Sequence, residues 1–110
     1  MTTNYKILGQ TAPTADTETL HYTVPNSTST LVRSINVTNT SATPDVYNIA
    51  LVTTAASAAT SSQFIVYQSS IPGNATVTIK AGYTLATGNG IRVTSTNGTT
   101  TFSTFGAEIS

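Results

Sequence analysis

From Thr30 to Thr54 the chain reads TLVRSINVTNTSATPDVYNIALVTT, and its apolar residues recur at every second position. Leu31, Ile35 and Val37 fall on one side of the first half, and Tyr47, Ile49 and Leu51 on one side of the second. A period of two puts alternate side chains on one face of a half-buried strand and cannot be wound into an amphipathic helix. Between the halves, Pro44 has no N–H for a ladder and holds Thr43 extended, while Asn39, Ser41 and Asp45 can bond their own backbone. The stretch therefore reads as two antiparallel strands joined by a polar loop. A lone hairpin is marginal in water, so the rest of the chain must supply the strands that cover its apolar face.

The flanking segments read as such strands. Asn4 to Gln10 is a first strand ended by Gly9, and Leu20, Tyr22 and Val24 alternate across Thr19 to Val24 before a turn at Pro25. The Ala- and Ser-rich run 55–62 reads as one helical turn or a flexible loop, and its low complexity favours a mobile loop. Gln63 to Gln68 (QFIVYQ) is apolar on both faces, as in a central strand or an edge meant for a partner. Pro72-Gly73 is a turn, Val77 and Ile79 mark a strand, and Tyr83 and Leu85 continue its apolar face. Ile91 to Ser95 is followed by Asn97-Gly98, a pair suited to a type I′ hairpin turn. In the last strand, Phe102 and Phe105 break the period of two, and a bulge near Ser103 to Gly106 is expected to return both rings to the core. Seven or eight strands and no convincing helix describe an all-β, antiparallel β-sandwich of immunoglobulin-like or jelly-roll type, one domain over residues 1–110.

A chain of 110 residues buries roughly 65% of its unfolded surface, which suffices for one core without staples. It has no cysteine to form a disulfide or a thiolate metal site. The start lacks an apolar run behind a basic end, so neither a secretory signal nor a membrane partner is expected. Charge is the outlying quantity: 7% of residues are Asp, Glu, Lys or Arg, against about 25% in an ordinary soluble domain, and the net charge is zero. Lys6, Arg33, Lys80 and Arg92 are scattered, so no nucleic-acid partner is expected. Near-zero charge and Thr-rich strands favour self-association.

No catalytic, cofactor or metal site is expected. A nucleophilic triad needs the single histidine, His21, to meet a serine and a carboxylate, but alternation places it opposite Leu20 and Tyr22, towards solvent. The acids Asp16, Glu18, Asp45 and Glu108 have no calcium-loop spacing. Gly88-Asn89-Gly90 lacks the strand-to-helix context of a phosphate cradle and reads as a turn. Tyr47 and Tyr83 read as core. The candidate contact residues are Tyr5, Arg33, Phe64 and Tyr67: Arg33 shares a strict face with Leu31 and Ile35, so it lies at the rim or is displaced by a bulge.

The opening NYKILGQTAP, the central TVPNSTSTLVRSINVTNTSATPDVYNIALV and the closing VTSTNGTTTFSTFGAEIS resemble the small structural proteins of tailed bacteriophages, as in phages of marine bacteria and cyanobacteria. The resemblance covers nearly the whole chain. It implies a virion structural protein, foremost a capsid decoration (cement) protein assembled in the host cytoplasm, with the major capsid protein or other virion proteins as partners. Tail, neck or fibre components and glycan-binding adhesin modules are the alternative. No coiled-coil or collagen-like repeat is present, which favours a compact module on a shell over a free-standing fibre.

Overall fold

A computed structural model describes residues 2–110, the Ala81 side chain excepted; the expectation about the leader rests in part on Met1, outside the described residues. Eight strands and one 3₁₀ turn follow in order: β1 (Thr3–Thr11), β2 (Thr19–Thr23), β3 (Ser29–Asn39), β4 (Asp45–Val52), the turn Ser61–Gln63, β5 (Phe64–Ile71), β6 (Thr76–Leu85), β7 (Gly90–Ser95) and β8 (Thr100–Ile109). Two four-stranded antiparallel sheets result, one in the order β1-β8-β3-β6, the other β2-β7-β4-β5. The molecule measures 45 × 25 × 19 Å.

Four nested antiparallel pairs, β1 with β8, β2 with β7, β3 with β6 and β4 with β5, make the chain one long hairpin rolled into two sheets. This is the jelly roll. The immunoglobulin-like alternative is excluded by strand order, since that fold keeps strands ABED on one sheet and CFG on the other.

The same topology corrects two local readings. β3 and β4 are not a hydrogen-bonded hairpin: they lie in opposite sheets and face each other across the core. Asn97-Gly98 likewise joins strands of different sheets, and only Gly98 has a positive φ, 74°, so the turn is not type I′. Of the sequence-adjacent strands, only β4 and β5 pair with each other.

The inward residues build one core: Leu8, Tyr22, Val32, Ile35, Val37, Tyr47, Ile49, Ile71, Leu85, Ile91, Val93 and Phe102. Bulges set its phase. In β3 the register slips between Val32 and Ser34, so Arg33 is the extra residue. Thr30 and Val32 point inward before the slip, and Ile35, Val37 and Asn39 after it. Leu31, expected with Ile35, is therefore on the outer face. In β2 the slip at His21 sends both His21 and Tyr22 inward, which corrects the solvent-facing expectation for the histidine. β8 carries no slip against either neighbour at Phe102–Phe105; the bulges sit at Leu8 in β1 and Arg33 in β3. Phe102 is core, whereas Phe105 faces outward and is half-buried.

Ala50 and Val52 are buried although they alternate with the core residues of β4. The run 55–62, expected foremost as a mobile loop, is tied to this sheet, with Ala55 buried and Ser61 and Ser62 in the 3₁₀ turn. Arg92, paired with Ala50 in the ladder, donates to the Ala55 carbonyl at 2.7 Å and to Glu18 at 3.0 Å, and the Ala59 N–H reaches Glu18.

Candidate functional site

The outer face of the β1-β8-β3-β6 sheet divides into two halves. Ladder partners place Thr3, Ile109 and Ser29 in one row, Tyr5, Ala107 and Leu31 in the next, and Ile7, Phe105, Ser34 and Lys80 in a third. Tyr5 is 72% exposed and Ile7 51%, with Leu31, Phe105 and Ile109 half-buried. These apolar groups are neighbours across three strands, the arrangement that distinguishes a contact surface from scattered exposed hydrophobics. The other half of the face, with Gln10, Ser103, Asn36 and Thr78 and then Thr101, Thr38 and Thr76, is hydroxyls and amides.

Two cations border the apolar half. Arg33 is exposed on a central strand, so it can only project from the outer face, and Lys80 ends the Ile7 row. The salt bridges among the described residues are Lys6 with Glu108 and Arg92 with Glu18, so Arg33 and Lys80 are left without a carboxylate. An apolar centre beside two uncompensated cations complements a partner surface with an apolar ridge and carboxylates at its margin.

Tyr5 and Arg33 thus meet on one surface. Phe64 and Tyr67 do not join them: they lie on β5, an edge of the other sheet, where Phe64 pairs with the outward Ala50. Their rings pack edge to face with centroids 4.9 Å apart, and Tyr67 is 66% exposed. Leu31 escaped sequence reasoning because a period of two assigned it to the core and the Arg33 bulge puts it outside; Phe105 escaped because a bulge expected in its own strand is absent, so β8 alternates regularly and turns the ring outward.

The polar groups with chemistry are used internally. His21 lies between the sheets, its Nδ1 2.7 Å from Thr11 Oγ1 and its Nε2 2.7 Å from Thr104 Oγ1. No carboxylate is among its partners; Glu18 is paired to Arg92 instead. Burial lowers its pKa to about 4. A base whose folded pKa is depressed binds fewer protons folded than unfolded, so its contribution is intact above about pH 6.5 and is lost as pH falls from there through about 4. Stability should fall by about 2 kcal/mol between pH 7 and 5 on this account. Thermal melting across that range would show it, and His21→Gln should flatten the profile.

Tyr22 Oη donates to Glu108 Oε2 at 2.5 Å and contacts Thr30 Oγ1 at 2.8 Å, while Lys6 Nζ lies 3.1 Å from Glu108 Oε1. Burial, then Glu108, pushes the phenol up to about 12, and the bond from Tyr22 is the main cause holding Glu108 below its ordinary value. At the opposite end, Asp45 and Asn39 bind the loops together. Asp45 accepts from Ser95 Oγ, Thr100 Oγ1 and the N–H groups of Val46 and Asn97. Asn39 Nδ2 donates to the Thr43 and Pro72 carbonyls, and its Oδ1 accepts from the Ser41 N–H and Thr99 Oγ1. Among the described residues no pocket opens, and no three His, Cys, Asp or Glu side chains are grouped to hold a metal.

Comparison of the chain with protein-family models, with curated proteins and with solved structures gives no match.

Proposed function

We propose that this chain is a structural protein of a tailed-phage virion, and foremost a decoration protein that docks on the outer capsid shell and reinforces contacts between capsomers. The observation that carries the reading is the apolar half-face of Tyr5, Ile7, Leu31, Phe105 and Ile109 with Arg33 and Lys80 beside it. It is carried on three hydrogen-bonded strands, so docking orders few side chains beyond Tyr5 and Arg33, and that keeps the entropic cost of association low. The resemblance of the strand and turn segments to small phage structural proteins supports the same reading, as does the jelly-roll fold, one home of which is viral capsids. Each docked copy is stabilised by mass action, since the unfolded chain does not present the surface.

The test is binding of the recombinant chain to phage heads that lack it, read by co-sedimentation. The wild-type chain should saturate. Ile7→Lys should weaken binding at least about tenfold, as expected for a contact worth more than 1 kcal/mol near the centre of an interface. Its melting should stay within about 0.5 kcal/mol of wild type, because Ile7 is exposed. Equal binding by wild type and Ile7→Lys would remove the face from consideration. The pair of exposed Tyr67 and half-buried Phe64 favours a second reading, a fibre or adhesin module stacking a sugar. That reading requires saturable glycan binding abolished by Tyr67→Ala.

A further inference from the structure

Four strand edges end the two sheets: β1 and β6 in one, β2 and β5 in the other. All four carry a bulge within the strand. β1 slips at Leu8, β2 at His21, and β5 both at Ile65 and opposite Asn48, where Gln68 takes a φ of 52°. Bulges turn an edge away from a second chain. Two edges keep five residues in unbroken register, β1 from Thr3 to Ile7 and β6 from Thr76 to Lys80 with Thr38 to Ser34, but the inward residues of that β1 stretch are the exposed Asn4 and Lys6, whereas those of β6 are the apolar Val77 and Ile79.

The ladder also fixes which backbone groups this edge offers. The Asn39 N–H donates to the Ala75 carbonyl at 2.9 Å, and residues 39 and 75 are directly opposite in the register that continues through Thr38 with Thr76. In an antiparallel ladder hydrogen-bonded pairs alternate, so Val77 and Ile79 bond to β3 while the N–H and C=O groups of Thr76, Thr78 and Lys80 point to the free edge. The cross-strand side-chain contacts agree. Thr38 with Thr76 at 3.3 Å and Thr78 with Asn36 at 3.0 Å fall at the alternate pairs, where side chains come closest. Among the described residues no turn or loop bond caps the backbone of 76, 78 or 80. The inward Val77 and Ile79 are half-buried, so the core is open to solvent along this edge.

We infer that β6 pairs with β6 of a second copy of this chain, antiparallel and centred on Thr78. That register makes Thr78 opposite Thr78 and Thr76 opposite Lys80, and it engages the free N–H and C=O of all three residues on each chain. Val77 falls opposite Ile79 on the inner face, so the half-exposed core residues of one copy cover those of the other. The lysine supplies the discrimination between registers. Lys80 stands on this edge; centring the pair on Thr78 sets each Lys80 against a threonine, whereas centring on Lys80 opposes two cations. Zero net charge leaves no long-range repulsion to set against the pairing.

The two-fold axis of such a pair is perpendicular to the sheet, so an eight-stranded sheet forms with both outer faces on one side. Two apolar half-faces then look the same way. If the docking proposal holds, the dimer binds its shell bivalently, with the gain in avidity that effective concentration provides. The pairing itself does not depend on that proposal.

Sedimentation velocity of the full chain over a concentration series should show a species of twice the 11.4 kDa chain mass. Thr78→Lys opposes two cations on the axis and should halve that mass, whereas Ile7→Lys, on the docking half-face, should leave the dimer intact. Hydrogen exchange on the wild-type chain reads the register without a variant: amides of Thr76, Thr78 and Lys80 should become protected as the dimer fills, while those of Val77 and Ile79 are protected throughout. A monomer up to millimolar concentration, an unchanged dimer in Thr78→Lys, or uniform protection at 76–80 independent of concentration would each overturn the inference. A wild-type dimer that fails to bind heads would count against the docking proposal alone.

Discussion

Asp45→Ala should lower stability by about 4 kcal/mol and the melting temperature by about 15–20 °C. Asp45 is 2% exposed, and its carboxylate is the shared acceptor for two hydroxyls and two backbone amides drawn from β4, β7, β8 and the loop between the last two. Removing it leaves Ser95, Thr100, Val46 and Asn97 with buried or half-buried donors facing a gap, and each unmet donor costs about 1–3 kcal/mol before relaxation. Thr100 N–H donates to Ser95 Oγ, so the loss spreads into the ladder beyond the first contacts. Asp45→Asn keeps the volume but turns one acceptor into a donor aimed at donors, and it should cost about 2 kcal/mol. Chemical denaturation of the three proteins measures the series directly.

The same carboxylate shapes the acid limb of the stability curve. Burial raises its pKa, but the bonds from Ser95, Thr100, Asn97 and Val46 outweigh burial and hold it below the ordinary value. A carboxylate depressed in the folded state contributes stability that is present above its unfolded pKa of about 3.9 and is lost as pH falls through the folded value. Asp45 therefore acts below about pH 4, whereas His21 acts between about 6.5 and 4. Wild type should lose stability in two steps; Asp45→Ala should keep the upper one and only the Glu108 share of the lower, and His21→Gln should keep only the lower.

Gly106→Ala should cost about 3 kcal/mol, the upper end for added volume in a packed site. A Cβ at 106 would lie 2.0 Å from the Leu31 carbonyl oxygen and 3.1 Å from Leu8 Cδ1. The carbonyl is backbone of a central strand and cannot swing aside as a side chain can. It crowds Gly106 because β3 bulges at Arg33 immediately beyond Val32, the ladder partner of Gly106. The only relief is to shift that bulge, which also holds Leu31 and Arg33 on the outer face. The variant should therefore lose shell binding at temperatures where circular dichroism still shows it folded. A loss under 1 kcal/mol would mean that the bulge is soft and does not hold the docking face in place.

The positions of the strands were legible because turn residues and period-two alternation are local. Pro25, Pro44, Pro72-Gly73 and Gly88 to Gly90 all fall in or beside the connections seen. Pairing was not legible, because in a jelly roll strands adjacent in sequence usually lie in different sheets, as β3 and β4 do. Phase was legible only between bulges. For Arg33 the alternation leaves a rim position and a bulge equally open, and the single extra residue found there moves Leu31 outside and makes Gly106 necessary on the next strand. His21 went astray for the same reason, through its own bulge. The docking half-face was half visible: Tyr5 stood out beside a strand of ambiguous face, while Leu31 and Phe105 were hidden by a core assignment that only the three-dimensional register reverses.

The most direct measurement is a cryo-electron microscopy map of phage heads to which the recombinant chain has been added back. Docking through the sheet face predicts ordered copies over the shell, with Tyr5, Ile7, Leu31 and Phe105 against the capsid, carboxylates of the capsid beside Arg33 or Lys80, and a head more resistant to heat. Density confined to tail or neck, or copies held on the shell by the Phe64 and Tyr67 side with the opposite face in solvent, would contradict it.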